Sequence, residues 1–341
     1  MAQRFSRKSF LSMLGASALS VRLQAASELT ADEQNVQIPY LQPGDLIGIT
    51  TPAGYMLADA ISDAIEQLKQ WGFQIRLGNA VGKRDFTFGG SDTERRDDLQ
   101  QMLDDPDIKA IIFARGGYGM VRIIDQLDFR KFRKRPKWLV GFSDITVLHS
   151  HISRQLGLTT IHAKMCNSFP EGLHYQDDVQ REAIDSIRRT LMGDLPSYQV
   201  TASEHNITGT ATGILTGGNL KTLESLAGSA SDIQTKGKIL FIEDVGEALY
   251  SIDRMCWNLL RSGKLHQLAG LIVGGFKLKA DPENEAFGRT LEQIVLEKVK
   301  NFNYPVCFGF PVGHQLNNVA LVCGHRYELQ VSADGCRLQP L

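Results

Sequence analysis

An excess of either charge, a cysteine framework, a membrane-length apolar run and an internal repeat are all missing from this chain of 341 residues. The 37 Lys and Arg against 38 Asp and Glu leave a formal net charge of −1, which argues against a surface built for nucleic acid or an anionic membrane. The one dense basic run, Arg130-Lys131-Phe132-Arg133-Lys134-Arg135, falls between Phe129 and Trp138 and is expected to be a solvated loop. Five cysteines, Cys166, Cys256, Cys307, Cys323 and Cys336, are widely spaced with no C-x-x-C. That count and scatter exclude a disulfide framework or zinc site and suit buried thiols. Neither G-x-G-x-x-G nor G-x-x-x-x-G-K-[S/T] occurs, so the common nucleotide fingerprints fail. No cofactor and no metal are expected.

What is present is an ordinary globular composition, 43 % hydrophobic and 22 % charged, with length enough for two domains. At the N-terminus Arg4, Arg7 and Lys8 precede an apolar run from Phe10 to Val21, then Arg22 and small residues. A basic region followed by a run too short to cross and stay reads as an export signal over residues 1–25, with no stable membrane insertion. Ser6-Arg7-Lys8-Ser9-Phe10-Leu11 is similar to the twin-arginine export motif, with Lys8 at the second arginine. The expected location is therefore outside the cytoplasm, in the periplasm; a cytoplasmic protein with a disordered N-terminal tail is the alternative.

Periodicity predicts strands at 46–50, 73–77 and 108–114, alternating with helices through Ile61–Trp71, from Ser91 to about Leu103, and through Val121, Ile124 and Leu127. Such alternation means a parallel sheet with helices on its faces, a Rossmann-like α/β domain over 26–165. A looser stretch, 166–205, including a charged helix from Asp177 to Leu191, is expected to be a linker. A smaller α/β domain rich in β-strands follows over 206–341. Its elements include an apolar strand at Lys238–Glu243, a helix at Ile252–Leu260, a strand at 268–274 and short strands around 319–322 and 327–331.

Ligands sit at the carboxyl ends of parallel strands, and two features fall there. The apolar run Leu139-Val140 breaks at Gly141-Phe142-Ser143-Asp144 and resumes at helical spacing through Val147, Leu148 and Ile152. This places Ser143 on a tight strand-to-helix turn, the setting of a nucleophile elbow; an ordinary helix N-cap is the competing reading. Arg115-Gly116-Gly117-Tyr118-Gly119 follows the third strand, and its glycines offer unhindered backbone N–H groups to an anion, as an oxyanion hole would. Glu243 ends an apolar strand, so a carboxylate there needs a partner and could orient a histidine. Asp244 and Glu247 compete with it. Among eight histidines, His314, in a loop after an apolar strand, and His162, after a short strand, are the candidate bases. His149 and His151 face different ways and make no metal pair.

Taken together, Gly44-Asp45-Leu46-Ile47, Arg115–Gly119 with Arg122, Gly141–Asp144, Gly217-Gly218-Asn219-Leu220, Glu243–Glu247 and Gly313-His314 resemble the LD-carboxypeptidase (muramoyltetrapeptide carboxypeptidase) family, in order from about Gly44 to the C-terminus. The resemblance implies a serine–glutamate–histidine triad of Ser143 as nucleophile, Glu243 as orienting acid and His314 as general base. It implies an oxyanion hole from the amides of Gly117 and Asp144, and a site in the groove between two domains. The substrate class would be murein tetrapeptides, cut between an L-centre, usually of a diamino acid, and a terminal D-alanine. Arg115, Gly116, Tyr118 and Asn219 are expected to bind substrate, with Arg115 or Arg122 meeting the terminal carboxylate. A homodimer is a family-level expectation. Two other readings stay open: a relative of the microcin self-immunity peptidases acting on peptidyl-nucleotides, for which Trp257 would be a stacking candidate although its spacing suits core, and a non-catalytic muropeptide-binding protein.

Overall fold

The computed structural model describes residues 38–341 apart from 282, 284 and 285. The export signal expected at 1–25 lies outside these residues. The described part is one compact unit holding two sheets. In chain order the strands are β1 (Leu46–Thr50), β2 (Gln74–Leu77), β3 (Ile108–Phe113), β4 (Trp138–Gly141) and β5 (Thr160–His162). Then come β6 (Tyr198–Thr201), β7 (Gly209–Asn219), β8 (Lys238–Val245), β9 (Gly270–Lys277), β10 (Val306–Gly313), β11 (Leu321–Cys323), β12 (Arg326–Val331) and β13 (Gly335–Pro340).

The first sheet runs β11-β5-β4-β3-β1-β2, all parallel except β11. Its interior strands alternate sides as a pleat requires. Ile111, Phe113 and Leu139 pack on one face, and Ala110, Ile112 and Val140 on the other. The order 2-1-3-4-5 reverses direction between β1 and β3, and a crevice opens there at the strands' carboxyl ends. The helix Asp92–Asp104 starts on the capping box that Ser91 and Glu94 predict: Glu94 N–H donates to Ser91 Oγ at 3.3 Å and Ser91 N–H to Glu94 Oε2 at 2.9 Å.

The second sheet runs β10-β9-β8-β7-β12-β13-β6, with β7 to β10 parallel and the others antiparallel. Ile207, in the β6–β7 connection, bonds Val306 of β10 in both directions at 3.0 Å, which curls the sheet toward a barrel. Mixed α/β architecture with a parallel sheet and a second, strand-rich body is what the alternation of elements predicts.

Several local expectations differ from the structure. Between Gly119 and Leu127 stand two 3₁₀ turns, Met120–Arg122 and Ile124–Gln126, not a helix. Gly119 at φ 142° and extended Leu127 fence off a segment too short for helix propagation. The basic run forms a short helix, Arg130–Lys134, because Phe132 is pulled into the core. The stretch expected to be a linker is divided. The helix Asp178–Leu191 lays Ile184, Ile187 and Leu191 into the first sheet's core, at the spacing of an amphipathic stripe, whereas β6 pairs with β13. Trp257 is 42 % exposed with Lys298 Nζ 4.7 Å over its ring, not core. All five cysteines are buried thiols. No helix among the described residues is long and apolar enough to cross a membrane.

Candidate active site

Ser143 begins a 3₁₀ turn, Ser143–Ile145, between β4 and the helix Thr146–Leu156. Its φ is +62°, a left-handed conformation that non-glycine residues avoid and that elbows at reactive sites tolerate. Gly141 permits the turn: a Cβ there would come within 3.0 Å of Phe113 and 3.1 Å of Ile145. The Arg115–Gly119 loop comes down directly on this elbow. A Cβ on Gly116 would stand 3.0 Å from Ser143 Cβ and 3.2 Å from its Oγ. Gly54 N–H, from the loop after β1, donates to Gly116 C=O at 2.9 Å. In a trans peptide the N–H opposes the C=O, so this bond turns the Gly117 N–H away from Gly54. The amide of Asp144 lies in the first turn of a helical segment, where N–H groups have no intrahelical acceptor.

The Asp144 side chain points inward, and its Oδ2 accepts Met120 N–H at 2.8 Å. Burial pushes its carboxyl up to about 6, although the Met120 and Gly119 amides and the Arg95 charge pull the other way. Arg95 is fully buried and clamps the same region. It donates to Pro52 C=O, to Gly119 C=O at 3.0 Å and to Gly90 C=O at 3.2 Å, and it pairs with Asp92. Sequence reasoning missed Arg95 and took Asp144 only for its backbone. The one signal was an arginine on the buried side of an amphipathic helix.

Glu243 lies near the end of β8, fully buried, and accepts a hydrogen bond from His314 Nδ1 at 2.5 Å. A carboxylate only accepts, so the proton sits on Nδ1 and Nε2 is left to take another. Burial raises the Glu243 carboxyl above its usual range and the His314 hydrogen bond opposes the rise. Gly313, at φ +103°, is required here because a Cβ would run into the Glu243 side chain. Gly313 N–H in turn donates to Asn318 Oδ1 at 2.8 Å, bracing the loop. The His314 ring lies 4.8 Å from the ring of Phe142, the residue before Ser143. The structure thus brings the neighbourhoods of Ser143, Gly116, Glu243 and His314 together from both sheets.

His162 is fully buried between Phe142 and Phe241, and burial holds it well below the usual histidine range. It is neutral core, not a base. His149, also buried, meets Gly141 C=O through Nε2 at 2.8 Å. Asn219 caps the helix Leu220–Ser225 through Oδ1, at 3.0 Å from Thr222 N, and donates from Nδ2 to Asp244 Oδ1 at 3.0 Å. Its backbone N–H donates to Thr146 Oγ1 at 3.1 Å, fastening β7 to the helix after Ser143. Arg122 is held by Asp92, with hydrogen bonds of 2.8–3.0 Å. Its guanidinium is therefore committed within the protein. Among the described residues Arg115 meets Tyr55, at 3.5 Å to its C=O and 5.8 Å to its ring. Tyr118 is 54 % exposed beside Phe88.

Residues 47–163 match the model of the LD-carboxypeptidase N-terminal domain, and 212–329 that of the LD-carboxypeptidase C-terminal domain. The chain is 35 % identical over 286 residues to the probable murein peptide carboxypeptidase of Bacillus subtilis, covering 83 % of this chain and 88 % of that protein. The crystal structure of muramoyltetrapeptide carboxypeptidase from Oxalobacter formigenes superposes with a TM-score of 0.77 at 28 % identity, over 86 % of this chain and 98 % of that one. The microcin C7 self-immunity protein MccF of Escherichia coli is a more distant relative, 26 % identical over 302 residues, 80 % of this chain and 87 % of its own. With both domain models matched in order around the Ser143 elbow and the Glu243–His314 pair, this chain belongs to the LD-carboxypeptidase family.

Proposed function

We propose that this protein is a serine-type LD-carboxypeptidase that releases the terminal D-alanine of murein tetrapeptides. The observation that carries the reading is the buried Glu243–His314 pair lying against Phe142, next to the left-handed Ser143 elbow. In the proposed reaction His314 Nε2 takes the Ser143 proton as Oγ attacks the carbonyl. Glu243 holds the imidazole tautomer and offsets the imidazolium charge. The Gly117 and Asp144 amides receive the oxyanion. His314 then protonates the leaving amine, D-alanine departs, and water cleaves the acyl-enzyme by the same route. Arg115, whose guanidinium has no carboxylate partner among the described residues, is the proposed contact for a substrate carboxylate on the β3 side, with Gly116 and Tyr118 beside it.

The test is mass spectrometry of purified disaccharide-tetrapeptide incubated with the wild type and with Ser143→Ala. Loss of one D-alanine with the wild type and a drop of at least ~10³-fold in the variant is expected. Release by both proteins would remove Ser143 from the mechanism. Tetrapeptide binding with release by neither would favour a non-catalytic binder.

A further inference from the structure

Lys164 is a cation without a visible counterpart. It lies just beyond β5, between Ala163, whose N–H donates to Gly141 C=O at 3.1 Å, and Met165, whose methyl would stand 3.3 Å from a Cβ on Gly116. Its backbone is therefore beside the elbow, at the carboxyl end of the strand neighbouring β4. The side chain is 6 % exposed, and its Nζ donates to Gln315 C=O at 3.3 Å. Gln315 follows His314, so the ammonium sits against the histidine loop. No carboxylate of the described residues pairs with it, and burial pushes it down to about 8 with no charge nearby to lift it.

A buried ammonium with one long hydrogen bond to a neutral carbonyl is poorly compensated. An ammonium has three donors, so two remain for a ligand. The other buried lysines each reach two acceptors, Lys137 the Met102 and Asp105 carbonyls and Lys298 the Asp253 and Glu297 carboxylates, whereas Lys164 reaches one. The sheet order also matters: Lys164 is on the β5 side of Ser143, whereas Arg115 is on the β3 side. A peptide lying across the elbow would meet one cation on each flank.

We propose that Lys164 is a specificity-determining residue that receives a carboxylate of the substrate beside the His314 loop, on the flank opposite Arg115. The inference rests on the tetrapeptidase reading and deepens it. A murein tetrapeptide can offer three such carboxylates: the terminal one on D-alanine, the side-chain one when the third residue is a diamino dicarboxylic acid, and the free α-carboxylate of the γ-linked D-glutamate. The chemistry is the same for all three, an ammonium against a carboxylate.

The experiment separates them by calorimetry in the Ser143→Ala background, with and without Lys164→Met. Four tetrapeptides are compared: one carrying all three carboxylates, one with lysine as third residue, one with the terminal carboxylate amidated, and one with the D-glutamate α-carboxylate amidated. Lys164→Met is expected to weaken the first by about 10- to 100-fold, the range of a lost charge-assisted hydrogen bond. The analogue lacking the carboxylate read by Lys164 should bind both proteins equally, which names the carboxylate. Equal affinity for the fully charged peptide with and without Lys164 would overturn the proposal. So would an equal loss on all four peptides, since that is what a brace for the Gln315 loop would give. Fluorophosphonate labelling of Ser143, run on wild type and on Lys164→Met, should proceed at equal rates because the probe carries no carboxylate; slower labelling of the variant would also point to a brace. If the wild type labels but releases no D-alanine, the functional reading itself has failed, and this assignment with it.

Discussion

Asp144 has two separate jobs at one position. Its amide faces the place where the proposed oxyanion forms, and its carboxylate holds the Met120 amide of the glycine loop opposite. The cost is a buried carboxyl held up to about 6 from its ordinary 3.8. Because the folded state favours the protonated form, the stability it confers is complete below about pH 4 and is lost as pH rises through about 6. Asp144→Asn keeps an acceptor for Met120 and removes the titration. Urea unfolding of both proteins from pH 4 to 7 should show the stability difference shifting in the variant's favour by roughly 2–3 kcal/mol over that range. A difference that stays flat would mean another group titrates there. Groups common to both proteins cancel in the comparison.

At the scale of elements, the first sheet's share of the site is the loops at the carboxyl ends of β1, β3 and β4, and a helix clamps the first two. The helix Asp92–Asp104 sends Arg95 back over its own N-terminus to carbonyls of the loops after β1 and β3 and of Gly90. Its Asp92 grips both Arg95 and Arg122. Arg95→Met leaves these buried carbonyls without their donor and should destabilise the protein by about 3 kcal/mol. It should also let the Gly117 amide drift, lowering kcat more than it raises KM, since an oxyanion contact acts mainly in the transition state. Thermal melts and steady-state kinetics on the tetrapeptide read the two effects separately. A lowered melting temperature with unchanged kcat would make the clamp structural only. Arg95 is a positioning residue in this account; it touches no reacting atom.

Across the whole molecule, the two sheets are not independent bodies. The chain leaves the second sheet after β10, adds β11 antiparallel to the edge of the first sheet at β5, then returns as β12. Near the elbow, Thr146 meets the backbone of Asn219, and Ser150 Oγ donates to Ser231 C=O at 2.6 Å. The expected consequence is one cooperative unfolding transition, with fluorescence and far-UV circular dichroism midpoints coinciding. A fragment covering residues 38–205 would expose the β5 edge and should aggregate or show no cooperative melt. A fragment that melted cooperatively by itself would overturn this coupling.

The alternation of short apolar runs with helical periods was enough to read β1, β3 and β4, because parallel strands buried on both faces and amphipathic helices leave distinct local patterns; β2, an exposed edge strand, was legible from Gly72 and Gly78, which bracket it. The Ser91–Glu94 cap and the turn at Ser143 were legible for the same reason: each is a feature of a few consecutive residues. Glu243 and His314 were legible separately, as an acid ending an apolar strand and a histidine in a glycine loop, but no local pattern pairs residues 71 positions apart; only the packing of β8 against the loop after β10 does so. Tertiary structure alone decided the rest. His162 became core through burial by Phe142 and Phe241, the helix Asp178–Leu191 joined a core formed mostly by earlier residues, and β11 crossed to the first sheet. Arg95 and Lys164 became important only through what surrounds them, because a buried charge takes its meaning from partners that can lie anywhere in the chain.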